Sequence, residues 1–78
     1  MMLSLADMTE GCVVTVADIS RIQEVVRRRL LDLGVLEGSR IRVARCLPFG
    51  GPLMIECDGQ CIGLRRCEAP LIQVIREC

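Results

Sequence analysis

The sequence predicts a mainly β fold: a small SH3-like β-barrel of about five strands, with one amphipathic α-helix inserted after the first strand. Three observations support this prediction. Short β-branched or alternating apolar runs are separated by turn signals along the chain, one segment has helical apolar spacing, and Asp58-Gly59 separates two alternating runs as a hairpin turn does. A sheet of such short strands exposes its edges unless it closes on itself, which favours a barrel.

The chain begins with a short lead-in and a strand. Leu5–Met8 is expected to form a helical turn or an extended segment, and Thr9–Gly11 a turn. Cys12–Val16 follows, and its β-branched side chains favour a strand. The first residues lack the charged start and long apolar run of a signal peptide, so we expect the protein to be cytoplasmic.

The predicted helix lies within Ile19–Gly38. Its apolar side chains recur every three or four residues, which places them on one helix face. They are Ile22, Val26, Leu30 and Leu33. Asp18 or Ser20 is expected to cap the start, and Gly34 is expected to end the helix, because glycine adopts the left-handed conformation without a Cβ clash. We expect the stripe to cover one end of the core and part of Leu33–Leu36 to stay exposed for docking.

A strand and a loop follow the helix. Arg40–Cys46 alternates polar and apolar side chains, with Ile41 and Val43 on one face, as in a half-buried strand. Leu47–Pro52 contains two prolines and two glycines within six residues and is therefore expected to be a loop. Its Phe49 is the only aromatic residue of the chain.

The remaining strands form a hairpin and a closing strand. Leu53–Cys57 and Gln60–Arg65 flank the Asp58-Gly59 turn, and their alternation fixes the register. The predicted pairs share one face and are Cys57 with Gln60, Ile55 with Ile62, and Leu53 with Leu64. Glu68–Pro70 is expected to be a corner or helical turn, and Leu71–Ile75 a final buried strand.

The composition predicts a single folded domain and argues against nucleic-acid binding and membrane insertion. The 78 residues suffice for one domain, which we place at 1–78, and a hydrophobic content of 51% is too high for a disordered chain. Ten arginines balance ten carboxylates, and a net charge of zero argues against nucleic-acid binding. No run approaches the ~20 apolar residues that span a bilayer, so direct membrane insertion is not expected.

The chemistry of an enzyme site is missing from the sequence. The chain contains no histidine, which removes the usual general base and the commonest metal ligand. Gly50-Gly51-Pro52 lacks the lysine and serine of a phosphate-binding loop. We therefore expect no enzyme activity and no catalytic residue. With one phenylalanine and no tryptophan or tyrosine, an aromatic groove for proline-rich peptides cannot be built, so a bound partner would meet aliphatic side chains.

Six cysteines are unusual in a chain without an export signal: Cys12, Cys46, Cys57, Cys61, Cys67 and Cys78. We expect free thiols, because a reducing cytosol keeps cysteines unpaired, and we expect Cys57 to be a small core residue. No CxxC spacing occurs, so the usual zinc and redox motifs are absent and we predict no metal ligand. A thiolate site that converges from distant strands remains the alternative.

Four segments together resemble the ferrous iron transport protein A family, FeoA. They are Arg29–Gly38, Pro48–Pro52, Ile62–Arg66 with Glu68-Ala69, and Ile72–Val74. The resemblance covers nearly the whole chain from Leu5 onward and implies an SH3-like barrel. It also implies a small cytoplasmic accessory of FeoB, a membrane ferrous iron transporter with a cytoplasmic GTPase domain. Similar domains form the C-terminal module of iron-dependent repressors, but we expect no DNA-binding helix-turn-helix before this one.

These inferences converge on an adaptor that docks on the transporter and modulates its GTPase or gating. The predicted partner-binding residues are Arg29, Leu33, Val35, Leu36, Leu47, Phe49 and Arg65. No cofactor is required. The alternative function is a cysteine-based carrier or sensor of a transition metal, Fe²⁺ or Zn²⁺. Exposed strand edges and apolar loops would also allow a weak homo-oligomer.

Overall fold

A computed structural model describes residues 3–46 and 51–77, which form a six-stranded antiparallel sheet and one α-helix. The strands are β1 (Leu3–Ser4), β2 (Val13–Asp18), β3 (Arg40–Cys46), β4 (Leu53–Cys57), β5 (Gln60–Leu64) and β6 (Gln73–Arg76). The helix, α1, spans Glu24–Asp32 and connects β2 to β3. Two short 3₁₀ turns, Leu5–Asp7 and Ala69–Leu71, follow β1 and precede β6.

The strand order is β1-β6-β2-β3-β4-β5, and every neighbouring pair is antiparallel. The predicted mainly β fold with one helix is confirmed. The strand count is six rather than about five because Leu3 and Ser4 pair with Val74 and Gln73 of β6. Within the described residues the sheet does not close into a barrel by hydrogen bonding, and β1 and β5 lie at its two edges.

The β4–β5 hairpin has the register that the sequence predicts. Cys57 pairs with Gln60, Ile55 with Ile62, and Leu53 with Leu64. Asp58 and Gly59 have φ angles of 51° and 81°, the positive values that a two-residue hairpin turn requires at both central positions. Of the side chains on this face, Leu53, Ile55, Cys57, Ile62 and Leu64 are buried, whereas Gln60, next to the turn, is exposed.

The core is built from alternate positions of the strands, as expected when one face of each strand is covered. Its fully buried large side chains are Leu5, Val14, Val16, Leu30, Val35, Ile41, Val43, Ile55, Leu64, Ile72 and Val74. Cys57 is also buried in this cluster, as predicted for a small apolar residue. Ile72 and Val74 are buried as predicted, but the last strand begins at Gln73 rather than at Leu71, because Ala69–Leu71 form a 3₁₀ turn.

The helix begins later than the apolar spacing predicts. Gln23 is its N-cap residue and makes no side-chain capping bond. The predicted cap at Asp18 or Ser20 is wrong, because the Asp18 carboxylate instead accepts the Ser20 N–H at 2.8 Å and closes a turn before the helix. Ile22 lies outside the helix but remains buried, so the turn brings it to the core without helical geometry.

The end of the helix agrees with the prediction for Gly34. Gly34 has a φ of 88°, its N–H donates to the Leu31 carbonyl at 3.0 Å, and the Val35 N–H donates to the Leu30 carbonyl at 2.8 Å. These are the two bonds of a Schellman motif, in which the residue after the glycine packs towards the last turn. Val35 is accordingly only 2% exposed, so the prediction that it forms part of an exposed docking patch is wrong.

We predict that Gly34→Ala lowers the free energy of unfolding by roughly 1–2 kcal/mol, the usual cost of a left-handed conformation for a residue with a Cβ. An added Cβ would meet no atom within 4 Å, so the loss would report backbone conformation rather than a clash. Urea unfolding followed by circular dichroism measures it. Gly63→Ala, at a glycine without positive φ, is the matched control and should cause no comparable loss; equal losses would contradict the prediction.

Candidate functional site

A tight turn after the helix exposes Leu36. The Ser39 N–H donates to the Leu36 carbonyl at 3.0 Å, the Leu36 N–H donates to the Ser39 hydroxyl oxygen at 3.0 Å, and Gly38 has a φ of 95°. The Gly38 N–H donates to the Val16 carbonyl, and the Val16 N–H donates to the Ser39 carbonyl, both at 2.8 Å. The turn is therefore attached to β2, while the Leu36 side chain at its tip is 48% exposed.

This turn and the second half of α1 enclose a cleft of about 260 Å³. We call it the Leu36 cleft, and its lining residues are Ile19, Ser20, Arg27, Leu31, Leu36 and Glu37. Leu31 is 44% exposed, so two leucines from different segments present apolar surface to one opening. Ile19 is buried beneath them. Its three aliphatic lining residues suit an apolar side chain of a partner, and the other three lining residues are polar or charged.

Opposite charges flank the Leu36 cleft. Arg27 contributes from the helix and Glu37 from the turn, and Arg27 forms no ion pair within residues 3–46 and 51–77. Asp18 precedes Ile19, and hydrogen bonds from the Ser20 N–H and hydroxyl hold the pKa of its carboxyl below the usual value. A bound partner would therefore meet an unpaired guanidinium on one side and carboxylates on the other.

A second cluster joins the helix to the corner before β6. Glu68 is the one buried charged residue of the described part of the chain, at 8% exposure. Its Oε1 accepts the Arg65 N–H at 2.9 Å and lies 3.8 Å from Nη2 of Arg29. The Glu68 N–H in turn donates to the Arg65 carbonyl at 2.9 Å. This reciprocal pair closes the corner, and the carboxylate holds Arg29 beside it.

The predicted partner-binding residues fall into three groups. Arg29 and Arg65 are exposed; the Arg29 guanidinium lies near the Glu68 carboxylate, which also accepts the backbone N–H of Arg65, and the site prediction did not include Glu68. Leu36 is exposed, whereas Leu33 is half-buried and packs against the core. Leu47 and Phe49 lie outside the described residues.

Leu31 was missed by the sequence prediction of the site. Leu31 is apolar but lies outside the apolar stripe that faces the core. An apolar residue on the polar face of the helix was the sequence feature that could have predicted an exposed contact.

Comparison with known proteins identifies the family. A family model described as the FeoA domain matches residues 3–76.

The chain belongs to the FeoA family.

Solved structures agree with this assignment. The FeoA protein from Chlorobium tepidum is 33% identical, with a TM-score of 0.90 over 97% of this chain and 71% of that one. An iron uptake regulatory protein (FeoA) is 25% identical, with a TM-score of 0.81 over 99% of both chains. A manganese-dependent transcriptional repressor in complex with manganese is 27% identical, with a TM-score of 0.85 over 97% of this chain and 37% of that one.

FeoA membership supports a role in ferrous iron transport and confirms the SH3-like fold. FeoA is a family of small accessory domains and is not a known enzyme family. Within residues 3–46 and 51–77 no helix is long and apolar enough to cross a bilayer.

The cysteines of this FeoA domain differ in environment. Cys46, Cys61 and Cys67 are exposed free thiols, whereas Cys57 is free and buried. Burial, with a smaller contribution from the Asp58 carboxylate, raises the pKa of the Cys57 thiol, so it remains protonated and unreactive. Cys12 is disulfide-bonded, which corrects the prediction that all six cysteines are free thiols.

No three cysteine, aspartate or glutamate side chains gather as a metal site in the part of the chain that the structure describes. Cys46 lines a smaller cavity of about 100 Å³ beside Arg66 and Ala69.

We predict that Glu68→Ala lowers the free energy of unfolding by about 1–3 kcal/mol, because the Arg65 N–H loses its acceptor. Glu68→Gln keeps an oxygen there and should lose under ~1 kcal/mol, since the Arg29 pair is long and Arg29 is half exposed. Glu56→Gln, which removes the exposed ion pair with Arg42, is the control and should change stability least. Equal effects of the Ala and Gln variants at position 68, measured by urea unfolding, would contradict a hydrogen-bonding role.

Proposed function

We propose that this chain is a cytoplasmic accessory protein of ferrous iron uptake that docks on the cytoplasmic GTPase domain of a FeoB-type transporter. Family membership supports the iron-uptake context. The observation that carries the docking part is the Leu36 cleft, where Leu31 and Leu36 are two of the four exposed large apolar side chains among residues 3–46 and 51–77. Exposed apolar surface beside charged groups is typical of a protein interaction site.

The chemistry of the cleft favours an amphipathic helix or an aliphatic loop of the transporter. Its apolar contacts are aliphatic, so an apolar side chain of the partner would fill the space between Leu31 and Leu36. Arg27 would pair with a carboxylate of the partner, and such a charge at the rim contributes chiefly to orientation and rate of association. The exposed side chains of Arg29 and Arg65 offer further cationic contacts.

Docking would modulate the transporter through a difference in affinity. An accessory protein shifts the balance between two states of its partner only by binding one state more tightly than the other. The cleft is fastened to β2 by two hydrogen bonds and thus presents one shape. A GTPase domain whose surface changes with the bound nucleotide would match that shape in one state and not in the other.

We predict that Leu36→Asp and Leu31→Asp each weaken binding to the soluble GTPase domain about tenfold or more, because a buried leucine contributes ~1.5–3 kcal/mol. Titration followed by amide chemical shifts measures the dissociation constant and shows that each variant is folded. Val25→Asp is the matched control, since Val25 is 79% exposed on the same helix and does not line the cleft.

The predicted loop contact is tested separately by Phe49→Asp. If folded Leu31, Leu36 and Phe49 variants all bind as the wild type does, the docking surface lies elsewhere. If Val25→Asp weakens binding as much as Leu36→Asp, the added negative charge causes the loss, and the cleft is not the docking site.

A metal carrier or sensor is the second candidate, because three free thiols are exposed. Anaerobic titration with Fe²⁺ and Zn²⁺, read by thiolate absorption and amide shifts, distinguishes it from the adaptor. The adaptor proposal predicts no saturable binding tighter than ~10 µM, since functional thiolate sites bind far more tightly. Tight stoichiometric binding that Cys46→Ser, Cys61→Ser or Cys67→Ser abolishes would favour the carrier.

A further inference from the structure

The outer edge of β5 is unprotected. β5 is the last strand of the sheet order, and its sequence, QCIGL, contains no charged residue and no proline. Edge strands of soluble proteins usually carry such residues, or are covered, because unpaired backbone groups recruit further strands. Within the described residues, nothing pairs with this edge.

The hairpin geometry determines which backbone groups face outward. In a two-residue hairpin the pair that flanks the turn, Cys57 with Gln60, is hydrogen-bonded, and hydrogen-bonded pairs alternate along the ladder. Gln60, Ile62 and Leu64 therefore direct their N–H and C=O groups to β4. Cys61 and Gly63 direct theirs away from β4, towards the side of β5 on which no described strand pairs.

We propose that β5 pairs antiparallel with β5 of a second copy of this chain, about a two-fold axis at Ile62. In this register Cys61 lies opposite Gly63 of the partner subunit, and Gly63 lies opposite Cys61 of the partner subunit. Each of the two pairs contributes two backbone hydrogen bonds, so all four outward N–H groups and carbonyls of each edge segment become satisfied. The interface is isologous, as a closed dimer requires.

Charge complementarity favours a second copy of this chain as the partner of the β5 edge. The same register places Asp58, at the exposed hairpin tip, alongside the Arg65–Arg66 segment of the partner subunit, and the arrangement occurs twice by symmetry. A register with Cys61 opposite itself would instead place Asp58 beside Leu64 of the partner subunit, where the carboxylate has no cation.

The small contact makes the association weak. Two residues per strand bury far less than the ~1,200 Å² of a stable interface, so the dimer forms reversibly at high protein concentration. The net charge of zero removes long-range repulsion between copies. The β5 edge is a surface separate from the Leu36 cleft, whose lining residues precede β3, and the inference does not depend on transporter binding.

Gly63→Pro tests the edge directly. Proline removes the outward N–H of residue 63 but no bond to β4, and proline is tolerated on the free side of an edge strand. Sedimentation of the reduced chain over a concentration series should show a reversible dimer for the wild type, weakened at least about tenfold by Gly63→Pro. Gly63→Ala adds the same Cβ, which an atom of Met54 would meet at 3.4 Å, but keeps the N–H and should dimerise as the wild type does.

The register has its own test. Gly63→Cys, in a background of Cys46→Ser and Cys67→Ser, places a thiol opposite Cys61 of the partner subunit, and oxidation should give a covalent dimer. Without Gly63→Cys, the two Cys61 residues are diagonal neighbours ~7–8 Å apart, beyond disulfide reach, so the yield should fall severalfold. Equal yields would overturn this register.

Two other outcomes overturn the proposal itself. One is a wild-type chain that stays monomeric to millimolar concentration. The other is a dimer that Gly63→Pro leaves unchanged. If the chain stays monomeric while the soluble GTPase domain shifts the amides of Cys61 and Gly63, the edge belongs to the transporter instead.

Discussion

The rest of the molecule depends on the left-handed residue at the end of its helix. Gly34 reverses the chain so that Val35 returns its N–H to the Leu30 carbonyl, and this bond directs Val35 into the core. The next residue, Leu36, begins a turn that is hydrogen-bonded to β2, and its side chain is exposed. A buried valine and an exposed leucine, adjacent in sequence, thus follow from one backbone conformation.

The sequence predicts best where local chemistry and burial agree. Alternation in two short runs, together with Asp58-Gly59, was sufficient for the β4–β5 register, since a shift by one residue would turn every apolar side chain outward. The glycine at the helix end was predictable for the same reason: one residue type suits one conformation. The C-terminal strand was recognisable because Ile72 and Val74 are buried two residues apart.

Prediction failed where a side chain has competing partners or where a partner is distant in sequence. Asp18 suits a helix cap, but its carboxylate closes an earlier turn. Val35 follows the glycine that ends the helix and was therefore predicted to stay at the surface. Its burial depends on the hydrogen bond from its N–H to the Leu30 carbonyl. β1 has only two residues, which is too few to show the alternation of apolar and polar side chains that predicts a strand. The meeting of Arg29 with Glu68 joins residues far apart in the chain, which spacing cannot encode.

The similarity to a manganese-dependent repressor shows how little a shared fold alone says about function. That protein has a domain of the same shape, yet a shared fold does not transfer a metal site, because function lies in particular side chains. In this chain the exposed groups of the candidate site are aliphatic and cationic side chains. The free thiols are dispersed over separate strands and turns. The candidate docking site and the thiols lie on the same scaffold, but each needs its own experiment.

The attachment of the Leu36 turn to β2 has a consequence for the energetics of recognition. Since Gly38 and Ser39 form both hydrogen bonds with Val16, opening of the turn breaks its bonds to β2, and the Gly38 amide should exchange with solvent as slowly as those of the strands. Conformational entropy lost on complex formation would then come almost entirely from the other molecule. The rigid component of such a complex is the smaller one.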